Sequence, residues 1–146
     1  MEYEKLRIKD FKHWSVVLHE RPYYLGRVCL WANRADAMDL METTPEEQKE
    51  FFEVGSDVNI ALYDLFLPDM MNYSAQGNVT KHLHVQFVPR YKEQRVFDGI
   101  TFIDKQWGKS FTPYDQDFSV PDETMMKIRD LIKERLDTLE EERETL

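Results

Sequence analysis

The chain has 146 residues, enough for one domain with a sizeable core, and we expect a single domain over 1–146. Apolar content of 42%, with three Trp, seven Tyr and nine Phe, excludes a disordered chain. The formal charge of −9 excludes a general nucleic-acid binder, which needs a basic surface to collect phosphates.

The N-terminus, Met1-Glu2-Tyr3-Glu4-Lys5, is charged and lacks the apolar stretch of a signal peptide. Trp14, Val16 and Leu18 alternate, and a strand is predicted over His13–Leu18. Arg21-Pro22 breaks it, and Gly26 opens a second apolar strand through Val28, Leu30 and Ala32. The run Val28–Ala32 is the longest uninterrupted apolar stretch, five residues, so nothing is expected to span a membrane. Cys29 lies within it, the only cysteine; it has no partner for an internal disulfide and reads as a small core residue. A cytoplasmic location is expected.

Thr43-Thr44-Pro45-Glu46-Glu47 starts a helix: a hydroxyl cap, proline in the first turn, and carboxylates at the positive helix end. Phe51, Val54, Val58, Ala61, Leu62 and Leu65 follow at helical spacing, and Pro68 ends the run. Met70–Ala75 reads as a strand leading into the polar turn Gln76-Gly77-Asn78. A strand over His82–Arg90 comes next, then a short one over Ile100–Ile103 and a loop carrying Trp107 and Tyr114. The last helix starts near Pro121-Asp122, with Met125, Ile128, Ile132, Leu136 and Leu139 on one stripe. It ends in the acidic run Glu140-Glu141-Glu142-Arg143-Glu144, read as a solvated helix end. No repeat or low-complexity segment interrupts the pattern. The fold class is α+β, with hairpin-length links favouring an antiparallel sheet.

The segment His82-Leu83-His84-Val85-Gln86-Phe87-Val88-Pro89-Arg90 concentrates the chemistry. In a strand, residues two apart share a face, so His82, His84 and Gln86 line one side and Leu83, Val85 and Phe87 the other. Two of the four histidines stand on that polar face, flanked by Lys81 and Arg90. Imidazole near neutrality serves as base, nucleophile or metal ligand. Two His with an amide fall short of the three protein ligands zinc normally takes, and His13 and His19 fit no standard metal motif. On these residues alone, catalysis, metal binding and a structural role all remain open.

The run resembles the signature of the histidine triad (HIT) superfamily, His-φ-His-φ-His-φ-φ with φ apolar, Gln86 standing for the third His. The His-x-His-x-Gln form is similar to that of galactose-1-phosphate uridylyltransferases and diadenosine tetraphosphate phosphorylases. Gly26-Arg27-Val28-Cys29-Leu30-Trp31 resembles the family's glycine-led strand, and Leu40 with Thr44-Pro45-Glu46-Glu47 its entry into the long helix. Asn72, Gly77-Asn78 and Pro89-Arg90 are similar to its asparagine strand, glycine turn and closing pair. The match covers about residues 13–91, leaving 92–146 as a C-terminal extension.

The resemblance implies a HIT-like fold: an antiparallel sheet with one long central helix and a C-terminal helix. It implies a nucleotidyl hydrolase, transferase or phosphorylase acting on dinucleoside polyphosphates or related nucleotides. His84 would be the nucleophile, His82 would buttress the strand, and Gln86 would donate to a phosphoryl oxygen. Asn78, Thr80 and the backbone at Gly77 would contact phosphoryl oxygens, Asn72 would orient the site, and Glu20 or His19 would meet the ribose hydroxyls. The covalent step would need no cofactor and no resident metal, a divalent cation being compatible only as company for the nucleotide. The expected partners are a nucleotide substrate and a second copy of the chain in a symmetric homodimer.

Gln86 has a consequence of its own. An amide donates a hydrogen bond but cannot deliver a proton to a leaving group. Good leaving groups such as polyphosphate need none, while activating water afterwards becomes harder, which points toward transfer or phosphorolysis. Three departures stand beside this. Arg27 and Ala35 occupy positions where the family often has His, Ala32-Asn33-Arg34 replaces Pro-Lys-Lys, and Val79 sits where Ser or Thr is common. Arg27 is expected to replace one missing group as a phosphate clamp. Trp14, Tyr23 and Tyr24 lie near the expected base pocket, though core or dimer packing is the favoured reading for each. A nucleotide-binding protein with little or no catalysis is the alternative.

Overall fold

The computed structural model describes residues 3–146; Met1 and Glu2, at the head of the charged N-terminal segment, lie outside the described residues. The strands are β1 (Arg7–Asp10), β2 (Trp14–Leu18), β3 (Val28–Ala32), β4 (Met70–Ser74), β5 (His84–Arg90), β6 (Arg95–Phe97) and β7 (Ile100–Phe102). The helices are α1 (Pro45–Phe66), between β3 and β4, and α2 (Asp122–Glu144), which closes the chain. Five strands form an antiparallel sheet in the order β1-β2-β3-β5-β4, and β6 and β7 form a separate hairpin.

Helix α1 starts where the sequence says it must. The Thr44 hydroxyl accepts from the Glu47 N–H at 3.1 Å, and the Glu47 carboxylate accepts from the Thr44 N–H at 2.8 Å, a reciprocal capping box with Pro45 in the first turn. Burial pushes the Glu47 carboxyl up, but the Thr44 N–H and the Arg34 guanidinium outweigh it and hold the group below its ordinary value. The helix ends at Leu67, in left-handed conformation with φ +52°, and Pro68 prevents a further turn.

Both helices cover one face of the sheet. Val16 and Leu18 of β2, Val28 and Leu30 of β3, and Val85 and Phe87 of β5 pack with Val54, Val58 and Leu62 of α1. Ile128, Ile132 and Leu136 of α2 complete that core, so the stripe read from the sequence faces inward. Each fully buried aliphatic side chain there contributes about 2 kcal/mol. Trp14 belongs to this core, its indole N–H donating to the Glu47 carbonyl at 2.8 Å. Tyr23 and Tyr24 pack with Val88 and Phe111 in a second buried cluster. These three aromatics are core residues, as their favoured reading had it.

The sequence-based boundaries shift by a residue or two. The histidine strand begins at His84, because the Leu83 N–H turns away to donate to the Ala37 carbonyl, in the loop after β3, at 3.0 Å. The first predicted strand begins at Trp14 and the Ile100 strand ends at Phe102. Two strands, β1 and β6, were not anticipated. β1 carries a single buried apolar residue, Ile8, among charges, as an edge strand does. β6 joins β7 through Asp98-Gly99, with φ +53° and +75°, a tight-turn pair that marks a hairpin.

Residues 103–121 connect β7 to α2, with Phe111 packed against Tyr23, Tyr24 and Val88 and Phe118 against both buried clusters. They are fastened by Arg90, whose guanidinium pairs with the buried Asp104 carboxylate at 2.8 and 3.2 Å. It also donates to the carbonyls of Gln106 at 2.7 Å and Lys109 at 2.9 Å. Arg90 is therefore a structural clasp inside the protein. The Tyr24 hydroxyl adds a bond to the Phe111 carbonyl at 2.6 Å. Among the described residues, no helix is long and apolar enough to cross a membrane.

Candidate active site

Strand register assembles the site on the uncovered face. Val17, Cys29 and Gln86 stand opposite one another across β2, β3 and β5, and Ser15, Trp31 and His84 form the next row. Because these rows alternate with the core-facing residues, packing the helices on one side presents the histidines on the other. His19, Glu20, Trp31, Thr80, His84 and Gln86 line a cleft of about 170 Å3. Tyr3, Val17, Leu18 and Cys29 complete the lining. Tyr3 was not foreseen; its ring meets the Trp31 ring edge-on with centroids 6.2 Å apart. Burial pushes the Cys29 thiol up to about 11, so it stays protonated.

Backbone and side-chain partners fix the chemical face of each polar group. His84 Nδ1 lies 2.8 Å from the His82 carbonyl, which can only accept, so in the neutral ring Nδ1 carries the proton and Nε2 keeps its lone pair. His82 Nε2 likewise donates to the Ala32 carbonyl at 2.6 Å, tying the strand entrance to β3. The Trp31 indole stacks under both imidazoles, with centroids 4.7 Å from His82 and 5.4 Å from His84. This holds the rings against rotation. His19 has the opposite polarity. Its Nδ1 accepts from the Arg21 N–H at 3.0 Å, leaving Nε2–H as a donor. Burial, reinforced by the Arg27 charge, pushes His19 down to about 3, so the ring stays neutral near pH 7.

Gln86 Oε1 accepts from the Arg27 guanidinium, whose other arm donates to the Tyr114 hydroxyl at 2.8 Å. Arg27 is 4% exposed and does not itself line the cleft. Where the sequence suggested a direct phosphate clamp, the structure has a buried cation behind the amide. The cleft thus presents the His84 nitrogen lone pair beside neutral donors that have no proton to release, His19 Nε2–H and the Gln86 amide, with the Glu20 carboxylate and the Thr80 hydroxyl also in its lining.

The other sequence-named residues are placed as follows. Thr80 reaches the cleft from the β4–β5 loop, which also carries Gly77 at φ +63° and an exposed Asn78. Val79 is 97% exposed there, and Ala35 is exposed on another loop. Asn72 lies on β4 outside the cleft, its amide oxygen accepting from Arg90 at 2.8 Å. His13 stays apart; its backbone N–H donates to the Glu50 carboxylate at 2.6 Å. Among the described residues, no three His, Cys, Asp or Glu side chains gather as a metal site.

Residues 1–93 match the family model of the HIT domain. The chain belongs to the HIT family. Solved HIT structures share its fold. A histidine triad protein from Sinorhizobium meliloti 1021 is 21% identical, with a TM-score of 0.74 over 89% of this chain and 88% of the other. One from Bradyrhizobium japonicum is 18% identical, with a TM-score of 0.74 over 91% and 92%. A hypothetical histidine triad nucleotide-binding protein from Sulfolobus tokodaii strain7 is 16% identical, with a TM-score of 0.68 over 92% and 85%. No curated protein sequence matches the chain. In this HIT fold the extension after residue 93 lies beyond the matched family region yet supplies Tyr114 behind the cleft.

Proposed function

We propose that this HIT protein is a nucleotidyl transferase or hydrolase that acts on dinucleoside polyphosphates or related nucleotides through a covalent intermediate on His84. The observation that carries this reading is the His84 Nδ1–H bond to the His82 carbonyl, which leaves Nε2 as a preset nucleophile at the cleft. Nε2 attacks the α-phosphorus, an N–P bond forms, and the P–O bond to the leaving polyphosphate breaks. The ring gains positive charge as it does so, and the carbonyl on Nδ1–H stabilises it. The acceptor then attacks the same phosphorus and restores the imidazole lone pair.

The donors favour a leaving group that departs as an anion. Gln86 and His19 can bind phosphoryl oxygens but release no proton, which suits a polyphosphate with its low pKa. Thr80 and the Gly77-Asn78 loop are assigned to the phosphates, Asn72 to support of the site through Arg90, and Glu20 to the ribose. No cofactor enters the covalent step; a divalent cation would arrive only with the nucleotide.

Incubation with diadenosine tetraphosphate, with and without inorganic phosphate, tests this reading against His84→Ala. ATP plus ADP formed only with phosphate marks phosphorolysis; AMP plus ATP without it marks hydrolysis. Turnover that survives His84→Ala refutes the mechanism. The fully exposed Val79 at a phosphate-binding position favours a second reading, nucleotide binding with little catalysis, which predicts calorimetric binding and no product. A homodimer is also proposed. The open edge of β4 presents Met70 and Tyr73 beside exposed Phe52 and Tyr63 of α1. Light scattering at the monomer mass counts against it.

A further inference from the structure

The Gln86 amide is held by contacts that begin outside the matched family region. Arg27 Nη2 donates to Gln86 Oε1, and Nη1 donates to the Tyr114 hydroxyl at 2.8 Å. The guanidinium carbon sits 5.2 Å from the Tyr114 ring centroid and 5.4 Å from that of Phe111. None of these partners is a carboxylate, and Arg27 Nε has no partner at all among the described residues. A carboxylate would cancel the charge. Aromatic faces and a phenol hold the cation and leave its field intact beneath a cleft that is to receive an anion.

The amide's orientation follows from this cation. A guanidinium has only donors, so the Gln86 atom facing it is the oxygen, and the NH2 is left for the cleft. An amide without such a partner turns readily about its last bond and can offer either end. With the oxygen turned outward, a carbonyl would face the phosphoryl oxygens and repel them.

We propose that Arg27, Tyr114 and Phe111 are positioning residues that lock the Gln86 amide with its NH2 toward the cleft, so that the extension after residue 93 completes the site. The functional consequence rests on the nucleotidyl-transfer reading above. The donor matters most when charge accumulates on the phosphoryl oxygens, so loosening it lowers kcat more than it raises KM.

Tyr114→Phe keeps the ring and removes the acceptor for Arg27. On diadenosine tetraphosphate, kcat should fall roughly tenfold with KM within about threefold. The same substitution should cost nothing further in a Gln86→Ala background. Equal losses in both backgrounds, or an unchanged kcat, overturn the proposal. A ligand-free measurement separates it from the transfer reading. The carboxyl introduced by Gln86→Glu, followed by 13C NMR, should titrate at least about one unit below the usual ~4.3 and rise again when Arg27→Met is added. Titration at the usual value overturns the relay. A depressed value that Arg27→Met restores, with no His84-dependent turnover in the unmodified protein, supports the relay and rejects the transfer reading.

Discussion

Replacing Asp104 with Ala should unfasten the extension and destabilise the whole protein. The Asp104 carboxylate accepts from Arg90 Nε at 2.8 Å and Nη2 at 3.2 Å, from the Tyr91 N–H at 3.2 Å and from the Gln106 N–H at 2.9 Å. The two side chains are 3% and 1% exposed, so Asp104→Ala strands a guanidinium in a dry site. Breaking a buried pair this way costs about 3–5 kcal/mol. Arg90 keeps Asn72 and the carbonyls of Gln106 and Lys109 as acceptors, which puts the loss at the low end, about 3 kcal/mol. For a chain of this size that lowers Tm by about 6–12 °C. Replacing both partners, as Arg90→Met with Asp104→Leu, removes the stranded charge and should cost less than Asp104→Ala alone. Thermal and urea unfolding read both quantities. A loss under about 1 kcal/mol for Asp104→Ala, or a double variant weaker than the single, refutes the reasoning.

Two further outcomes are expected. His19 is held neutral down to about 3 in the folded protein but titrates near 6.5 when unfolded, so the unfolded chain binds the extra proton in between. Its contribution is present above about pH 6.5 and is lost as pH falls toward 3. His19→Asn keeps an acceptor for the Arg21 N–H without titrating, and should flatten urea-measured stability between about pH 6.5 and 4; parallel curves contradict the assignment. Gly26 has φ +84°, and a Cβ there would lie 2.8 Å from the Phe66 ring. Gly26→Ala should therefore cost about 2–4 kcal/mol in urea unfolding, and a cost under about 1 kcal/mol would show that the turn and Phe66 relax together.

Helices and core-facing strand positions were legible because their signals are local. Thr44, Pro45 and Glu47 start α1 within one turn, and the α2 stripe from Met125 to Leu139 is buried residue for residue. Alternation from His82 to Phe87 separated the site face from the core face before any packing was known. Asp98-Gly99 was a readable hairpin signal that the flanking short strands obscured. β1 carried no such signal, since one apolar residue among charges makes a strand only by pairing with β2.

The sequence by itself determined that His84 and Gln86 share one face of a strand, because pleat geometry acts over neighbouring residues. What those groups can do was settled by tertiary structure. The His84 lone pair depends on a carbonyl that the His82–Leu83 bend brings within 2.8 Å. The Gln86 orientation depends on Arg27, 59 positions away, and Arg27 on Tyr114, 87 positions away. Proton positions and amide orientation are set by whichever donor or acceptor arrives from elsewhere in the chain, and no local pattern encodes that arrival.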